Sequence, residues 1–152
     1  MGKEIERKFL VIRDDYRLSE KRNSIQQGYL CNETEQVVRV RLYNKQAFLT
    51  IKGKTIGITR NEWEYPIPYE DAAELMQLCK GVIEKVRYEV DFKGSTWEVD
   101  EFHGQNEGLI VAEIELKSEK EDIPIPEWVG REVTDDPKYL NANLVKNPYQ
   151  CW

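Results

Sequence analysis

The charged residues of this chain recur in pairs two positions apart, and each pair carries a single sign. The acidic pairs are Glu4/Glu6, Glu62/Glu64, Glu98/Asp100 and Glu113/Glu115; the basic pairs are Arg39/Arg41, Lys52/Lys54 and Lys85/Arg87, and Lys8 continues the first stretch. Side chains at i and i+2 of an extended chain share a face about 6.7 Å apart, so each pair sets like charges side by side. A half-buried antiparallel sheet also shows charge to water, and any one pair fits that description. A solvated face gains from mixing signs, whereas seven pairs here keep them apart. Concentrated carboxylates are hard oxygen ligands suited to Mg²⁺ or Mn²⁺, and concentrated Arg and Lys suit phosphate oxygens. A metal-bound polyphosphate would satisfy both sets together.

These residues fall on segments that alternate in character. The stretches 3–11, 25–31, 37–43, 46–54, 58–66, 83–92, 95–102 and 108–117 predict about eight antiparallel strands, separated by turn signals such as Asn44-Lys45, Gly53 to Gly57, Lys93-Gly94 and Gly104 to Gly108. Their other faces are apolar or aromatic, as in Val38, Val40, Leu42 and Trp97, Val99. Tyr69 to Lys80 places Ala72, Leu75, Met76 and Cys79 at helical spacing, with acids in its first turn and Gly81 past its end. Pro126 to Val129 and Pro137 to Leu144 predict two short helices with proline near the start. A closed barrel would bring eight such strands around one ligand and leave no sheet edge. The expected class is α+β, mainly β: a closed eight-stranded antiparallel tunnel with a charged interior and helices packed outside.

Composition narrows the function further. At 152 residues, one domain spanning 1–152 is expected. With 22 basic and 28 acidic residues the net charge is −6, which disfavours general attraction to nucleic acid or anionic membrane. The chain is charged from Lys3 onward and has no apolar run approaching the ~20 residues of a membrane span, so a cytoplasmic protein is expected, as a monomer or homodimer. Cys31, Cys79 and Cys151 share no metal-ligand spacing and read as free thiols of a reducing compartment. His103 lies in a Phe-His-Gly turn, and no cysteine has a histidine partner, so no covalent nucleophile stands out. Phosphoryl transfer needs little covalent help when positioning and charge neutralisation are supplied. For a base, the candidates are a paired carboxylate, or Lys85 with Tyr29, because a lysine among other cations favours its neutral form.

The series Glu4-x-Glu6-x-Lys8, Val38-Arg39-Val40-Arg41, Thr50-Ile51-Lys52-Gly53, Glu62-x-Glu64, Lys85-x-Arg87-Tyr88 and Glu113-Ile114-Glu115-Leu116 resembles the CYTH superfamily, the triphosphate tunnel metalloenzymes. Gln27-Gly28-Tyr29-Leu30 and the tail from Gly130 to Asn143 resemble its short bacterial branch. Members hydrolyse inorganic triphosphate, nucleoside triphosphates or thiamine triphosphate, and some cyclise ATP. The resemblance implies that Lys8, Arg39, Arg41, Lys52, Lys85 and Arg87 bind the triphosphate, with Lys54 beside a glycine turn as a further candidate. It implies that Glu4, Glu6, Glu62, Glu64, Glu113 and Glu115 hold Mg²⁺ or Mn²⁺, with Glu98 and Asp100 joining the acidic cluster, and that Lys85, Tyr29 and Lys52 are the catalytic candidates. The function expected is metal-dependent hydrolysis of a triphosphate, inorganic tripolyphosphate first, by in-line attack of water. The alternatives are an adenylate cyclase or thiamine triphosphatase of the same superfamily and, from a different class, a non-catalytic polyphosphate-binding module.

Overall fold

The computed structural model describes residues 2–152. Strands run β1 Gly2–Val11, β2 Arg22–Glu33, β3 Gln36–Tyr43, β4 Gln46–Ile56, β5 Thr59–Pro66, β6 Val82–Phe92, β7 Ser95–Phe102, β8 Ile110–Glu115 and β9 Val129–Glu132, with helix α1 at Tyr69–Met76 between β5 and β6 and α2 at Asn141–Lys146 after β9. The neighbours are β5-β4-β3-β2-β6-β7-β8-β1, and a further β5–β1 pairing closes the ring. All pairings are antiparallel. Strand β1 makes the closure by dividing its length: Gly2–Ile5 pairs with β5, and Glu6–Leu10 pairs with β8. The result is a closed eight-stranded barrel with β9 as an added strand beside β1.

Local chemistry sets the turns. Lys93 and Gly94 both have positive φ, at 48° and 85°, the conformation a two-residue hairpin needs to match the twist of its strands. Gly28 has a different task, since a Cβ there would stand 2.7 Å from Cys79 Sγ and 3.0 Å from Met76 Sδ. Its bare backbone lets the end of α1 press onto β2. The helix predicted over 69–80 stops at Met76, because Gln77, Leu78 and Cys79 bond back three residues rather than four and tighten the chain.

The barrel is apolar outside and charged inside. Its exterior is covered in three patches: Phe9, Trp97, Ile114 and Trp128 in one, Ile83, Phe102, Val111, Tyr139 and Leu144 in a second, Val40, Ala47, Ala72 and Met76 in a third. Helix α1 covers the third patch from outside, while Leu144 of α2 belongs to the second. One segment differs from expectation. Pro126 to Val129 makes a single turn, Val129 N to Pro126 O at 3.1 Å, and Val129 then starts β9. The free upper edge of β1 decides this, because pairing Val129 with Val11 and Glu132 with Phe9 satisfies backbone groups that a short helix would leave open. The helix predicted over 137–144 is two pieces, a single 3₁₀ turn at Pro137–Tyr139 and α2.

Candidate active site

The bore is a cavity of about 400 Å³, within the range of small-molecule sites. Alternation delivers its lining strand by strand: Glu4, Glu6 and Lys8 from β1, Tyr29 from β2, Arg39 and Arg41 from β3, and Lys52 from β4. Glu62 and Glu64 come from β5, Lys85 and Arg87 from β6, Glu98 from β7, and Glu113 and Glu115 from β8. Two predicted residues do not line it. Between Lys52 and Thr55 the β4–β5 register shifts, and this bulge breaks the two-residue period, so Thr55 faces the cavity while Lys54 is turned outward, 3.5 Å from Glu35 at the surface. Asp100 is fully buried behind the lining. Its carboxylate accepts from Arg87 Nε and Nη2 at 2.8 and 2.9 Å and from Lys85 Nζ at 2.7 Å, so its oxygens are committed to those cations rather than to a metal.

Opposite charges meet inside the bore, within a strand, between neighbouring strands and between strands one apart. Lys8 Nζ lies 3.4 Å from both Glu6 and Glu113, Lys52 Nζ lies 3.2 Å from Glu4 and 3.5 Å from Glu62, and Arg87 reaches Glu98 at 3.2 Å. Arg39 donates to Thr50 Oγ1 at 3.1 Å and to Glu64 at 3.4 Å. Pairing is nevertheless incomplete. Among the described residues Arg41 has only the amide oxygen of Gln27 as acceptor, at 3.0 Å, and Arg39 Nε is buried without a partner. On the acidic side Glu6 stands directly across from Glu115, and Glu98 directly across from Glu113. Such positions set Cβ atoms about 5 Å apart, where like charges are destabilising.

The ionisation of these groups reflects that arrangement. Burial first, and Glu113 second, push the Glu6 carboxyl up to about 7. Burial also raises Glu4, Glu98 and Glu115, with neighbouring carboxylates adding to it. Burial opposes the ionisation of Glu113 too, but Lys8 and Arg87 hold it well below the usual range. Burial lowers Lys85 to about 7; Asp100 opposes the shift while Arg87 and Arg41 reinforce it. Burial, Arg39 and Arg87 likewise lower Arg41. A guanidinium remains charged in proteins, so for Arg41 the shift registers a cation in want of an anion.

The donor set fits a hard divalent cation, being carboxylate oxygen throughout, with Glu62 Oε2 buried and, among the described residues, without a hydrogen-bond donor, the Lys52 ammonium standing off at 3.5 Å. Among the described residues no three acidic, histidine or cysteine side chains converge closely enough to chelate an ion. A cation such as Mg²⁺ bound through one or two carboxylates and substrate phosphates needs no such cluster. Beyond the predicted residues the structure adds Gln27, Thr50, Arg60 and Asn141. Arg60 lines the bore opposite Glu4, and Thr50 Oγ1 donates to Glu64 at 2.9 Å. Gln27 and Thr50 sit two positions before Tyr29 and Lys52 on the same faces, a signal that alternation carries; Asn141 lies outside the eight barrel strands.

A closed barrel whose bore opposes paired carboxylates to paired Arg and Lys is the architecture of a triphosphate tunnel. The CYTH domain model matches residues 2–147. The chain is 54% identical over 152 residues to an inorganic triphosphatase of Acetivibrio thermocellus, with 99% of this chain and 97% of the relative covered. To an inorganic triphosphatase of Nitrosomonas europaea it is 36% identical over 148 residues, covering 93% of this chain and 95% of the relative. A solved structure of an inorganic triphosphatase matches with a TM-score of 0.68 at 32% identity, covering 93% of this chain and 97% of that one. The chain belongs to the CYTH family.

Proposed function

We propose that this protein is a metal-dependent triphosphatase whose preferred substrate is inorganic tripolyphosphate, hydrolysed in the bore by in-line attack of water. The observation that carries this reading is the opposition of incompletely paired charges within one cavity: Arg39 Nε and Arg41 facing inward without carboxylate partners, and Glu6 set against Glu115. The names of the relatives at 54% and 36% identity support the same substrate.

In this reading Arg39, Arg41, Lys52, Lys85, Arg87 and Lys8 bind and align the phosphate oxygens, the guanidiniums through paired N–H donors. Glu4, Glu6, Glu62, Glu64, Glu98, Glu113 and Glu115 supply the oxygens that would hold Mg²⁺ or Mn²⁺. When bound, the cation neutralises charge on the phosphates and the leaving group. Alignment and fixed charge carry most of the catalysis, since phosphoryl transfer asks for little covalent chemistry. Lys85, lowered to about 7 by burial, is placed to exchange a proton near neutral pH, with Tyr29 lining the same cavity. The bore is built from strands of a single chain, so residues 1–152 would act as one unit without a second copy. Free Cys31, Cys79 and Cys151 support a cytoplasmic location, and among the described residues no helix is long and apolar enough to cross a membrane.

The test is phosphate release from tripolyphosphate, ATP, thiamine triphosphate and pyrophosphate, each with Mg²⁺, with Mn²⁺ and with chelator. Tripolyphosphate with metal should be hydrolysed fastest and chelator should abolish release. Cyclic AMP from ATP would mark a cyclase instead. Tight tripolyphosphate binding without turnover under any metal would mark a binding module.

A further inference from the structure

Two of the bore's cations are held by neutral amides. Arg41 Nε donates to Gln27 Oε1 at 3.0 Å, and Gln27 Nε2 donates to Tyr29 OH at 2.9 Å and to Asn141 Oδ1 at 3.2 Å. Asn141 Oδ1 also accepts from Lys85 Nζ at 2.7 Å, and Lys85 Nζ donates to Asp100 Oδ2 at 2.7 Å. Arginine and lysine have no acceptor to offer, so both amide oxygens are obliged to face them. Gln27 is fully buried. A continuous polar chain therefore joins β3, β2, the first residue of α2, β6 and β7.

Asn141 differs from the others in lying off the barrel. It reaches Lys85 only because α2 is anchored beside the β2–β3 hairpin. Asn32 Nδ2 donates to Ala142 O at 2.8 Å, Lys146 Nζ donates to Asn32 O at 3.0 Å, and Leu144 is fully buried with Ile83 and Val111. Leu140, Asn141 and Ala142 line the cavity at that point.

We propose that Asn141 and Gln27 are positioning residues: their amide oxygens restrain Lys85 and Arg41, and α2 is the element that delivers the restraint. The proposal rests on the triphosphate reading of the bore. Without Asn141, Lys85 Nζ keeps Asp100 as its one acceptor among the described residues, at 2.7 Å, and can swing about that contact toward the phosphates of the bound substrate. That strengthens ground-state binding without strengthening the transition state, so turnover falls while affinity holds or rises. Ordinary structural damage lowers both together.

Asn141→Leu keeps the size of the side chain and removes its acceptor. Turnover of tripolyphosphate with Mg²⁺ should fall about tenfold or more, the equivalent of one hydrogen bond to a charged group. The Kd of tripolyphosphate in chelator should equal that of wild type or be tighter. Gln27→Leu should show the same split, and the double variant should lose no more turnover than the worse single one, as for residues acting through one chain of bonds. Asn141→Ala serves the same comparison if the leucine variant does not fold. Wild-type turnover in the Asn141 variants, or a Kd that weakens in proportion to the lost turnover, overturns the proposal. A failure of the functional reading appears separately, as wild-type protein that releases no phosphate from tripolyphosphate with either metal. The comparison of Kd in chelator still decides the restraint in that case, a tenfold weaker Kd in Asn141→Leu counting against it.

Discussion

Glu6→Gln should stabilise the empty protein at alkaline pH and leave it nearly unchanged at pH 5. Glu6 faces Glu115 across β1 and β8, its side chain only 21% exposed, and its carboxyl is raised from 4.5 to about 7. An acid whose folded pKa lies above its unfolded one binds its proton more tightly in the native state. Its cost to stability is therefore fully present above pH 7, shrinks as pH falls through 7, and is gone below 4.5. The difference corresponds to roughly 3 kcal/mol at most. Loss of the 3.4 Å contact from Lys8 offsets part of it, but Lys8 keeps Glu113 at the same distance. For a domain of this length the net gain is on the order of 5 °C in melting temperature. Thermal melts of wild type and variant from pH 5 to pH 9, without metal, measure it as a difference curve. The variant should also lose part of the upward shift that Mg²⁺ with tripolyphosphate gives the wild type. A difference that does not vary with pH, or a variant that melts lower at pH 9, would refute the reasoning and place Glu6 outside the like-charge pair.

Arg39→Ala and Arg41→Ala should each weaken tripolyphosphate binding about tenfold to a hundredfold, the range for hydrogen bonds to charged groups, and orthophosphate binding much less; Lys54→Ala, turned outward by the bulge, serves as the control and should bind as wild type. Calorimetry in chelator separates the three. Asp100→Asn should destabilise strongly, by about 3 kcal/mol or more, because it leaves Lys85 and Arg87 buried without their shared carboxylate; a denaturant midpoint close to wild type would show that water reaches the pair.

The tunnel was legible in the sequence because a regular strand obeys a local rule. Glu113 and Glu115 face one way and Ile114 the other, wherever the strand lies in the sheet. What the rule could not reach depends on partners far along the chain. Lys54 fails it because the pairing of β4 with β5 inserts a bulge. Asp100 obeys it, yet its register opposite Arg87 buries it behind the lining. Strand β9 starts at Val129, the last residue of the stretch whose Pro126 reads as a helix start, and the open edge of β1 draws it into the sheet. Asn141 has no periodic signal, since it enters the bore from a segment that follows the barrel.

The resting charges also restrict what the bore can receive. Most cations already have a carboxylate at 3.2 to 3.5 Å, so a bare polyanion would have to displace those carboxylates and leave them facing one another and the phosphates. A bare cation would meet the Lys and Arg that the carboxylates now hold. Each ligand alone therefore binds at the expense of existing pairs, and more weakly than the two together. On the proposed function, an anion that carries its own divalent cation would exchange both halves at once, its phosphate oxygens meeting Arg39 and Arg41 while the cation would offset the carboxylates around Glu6 and Glu115. The apolar clusters stay on the outer face of the barrel throughout, around Trp97, Leu144 and Ala72. This division lets the interior tolerate an electrostatically strained empty state, because the packing that holds the barrel closed does not run through the bore.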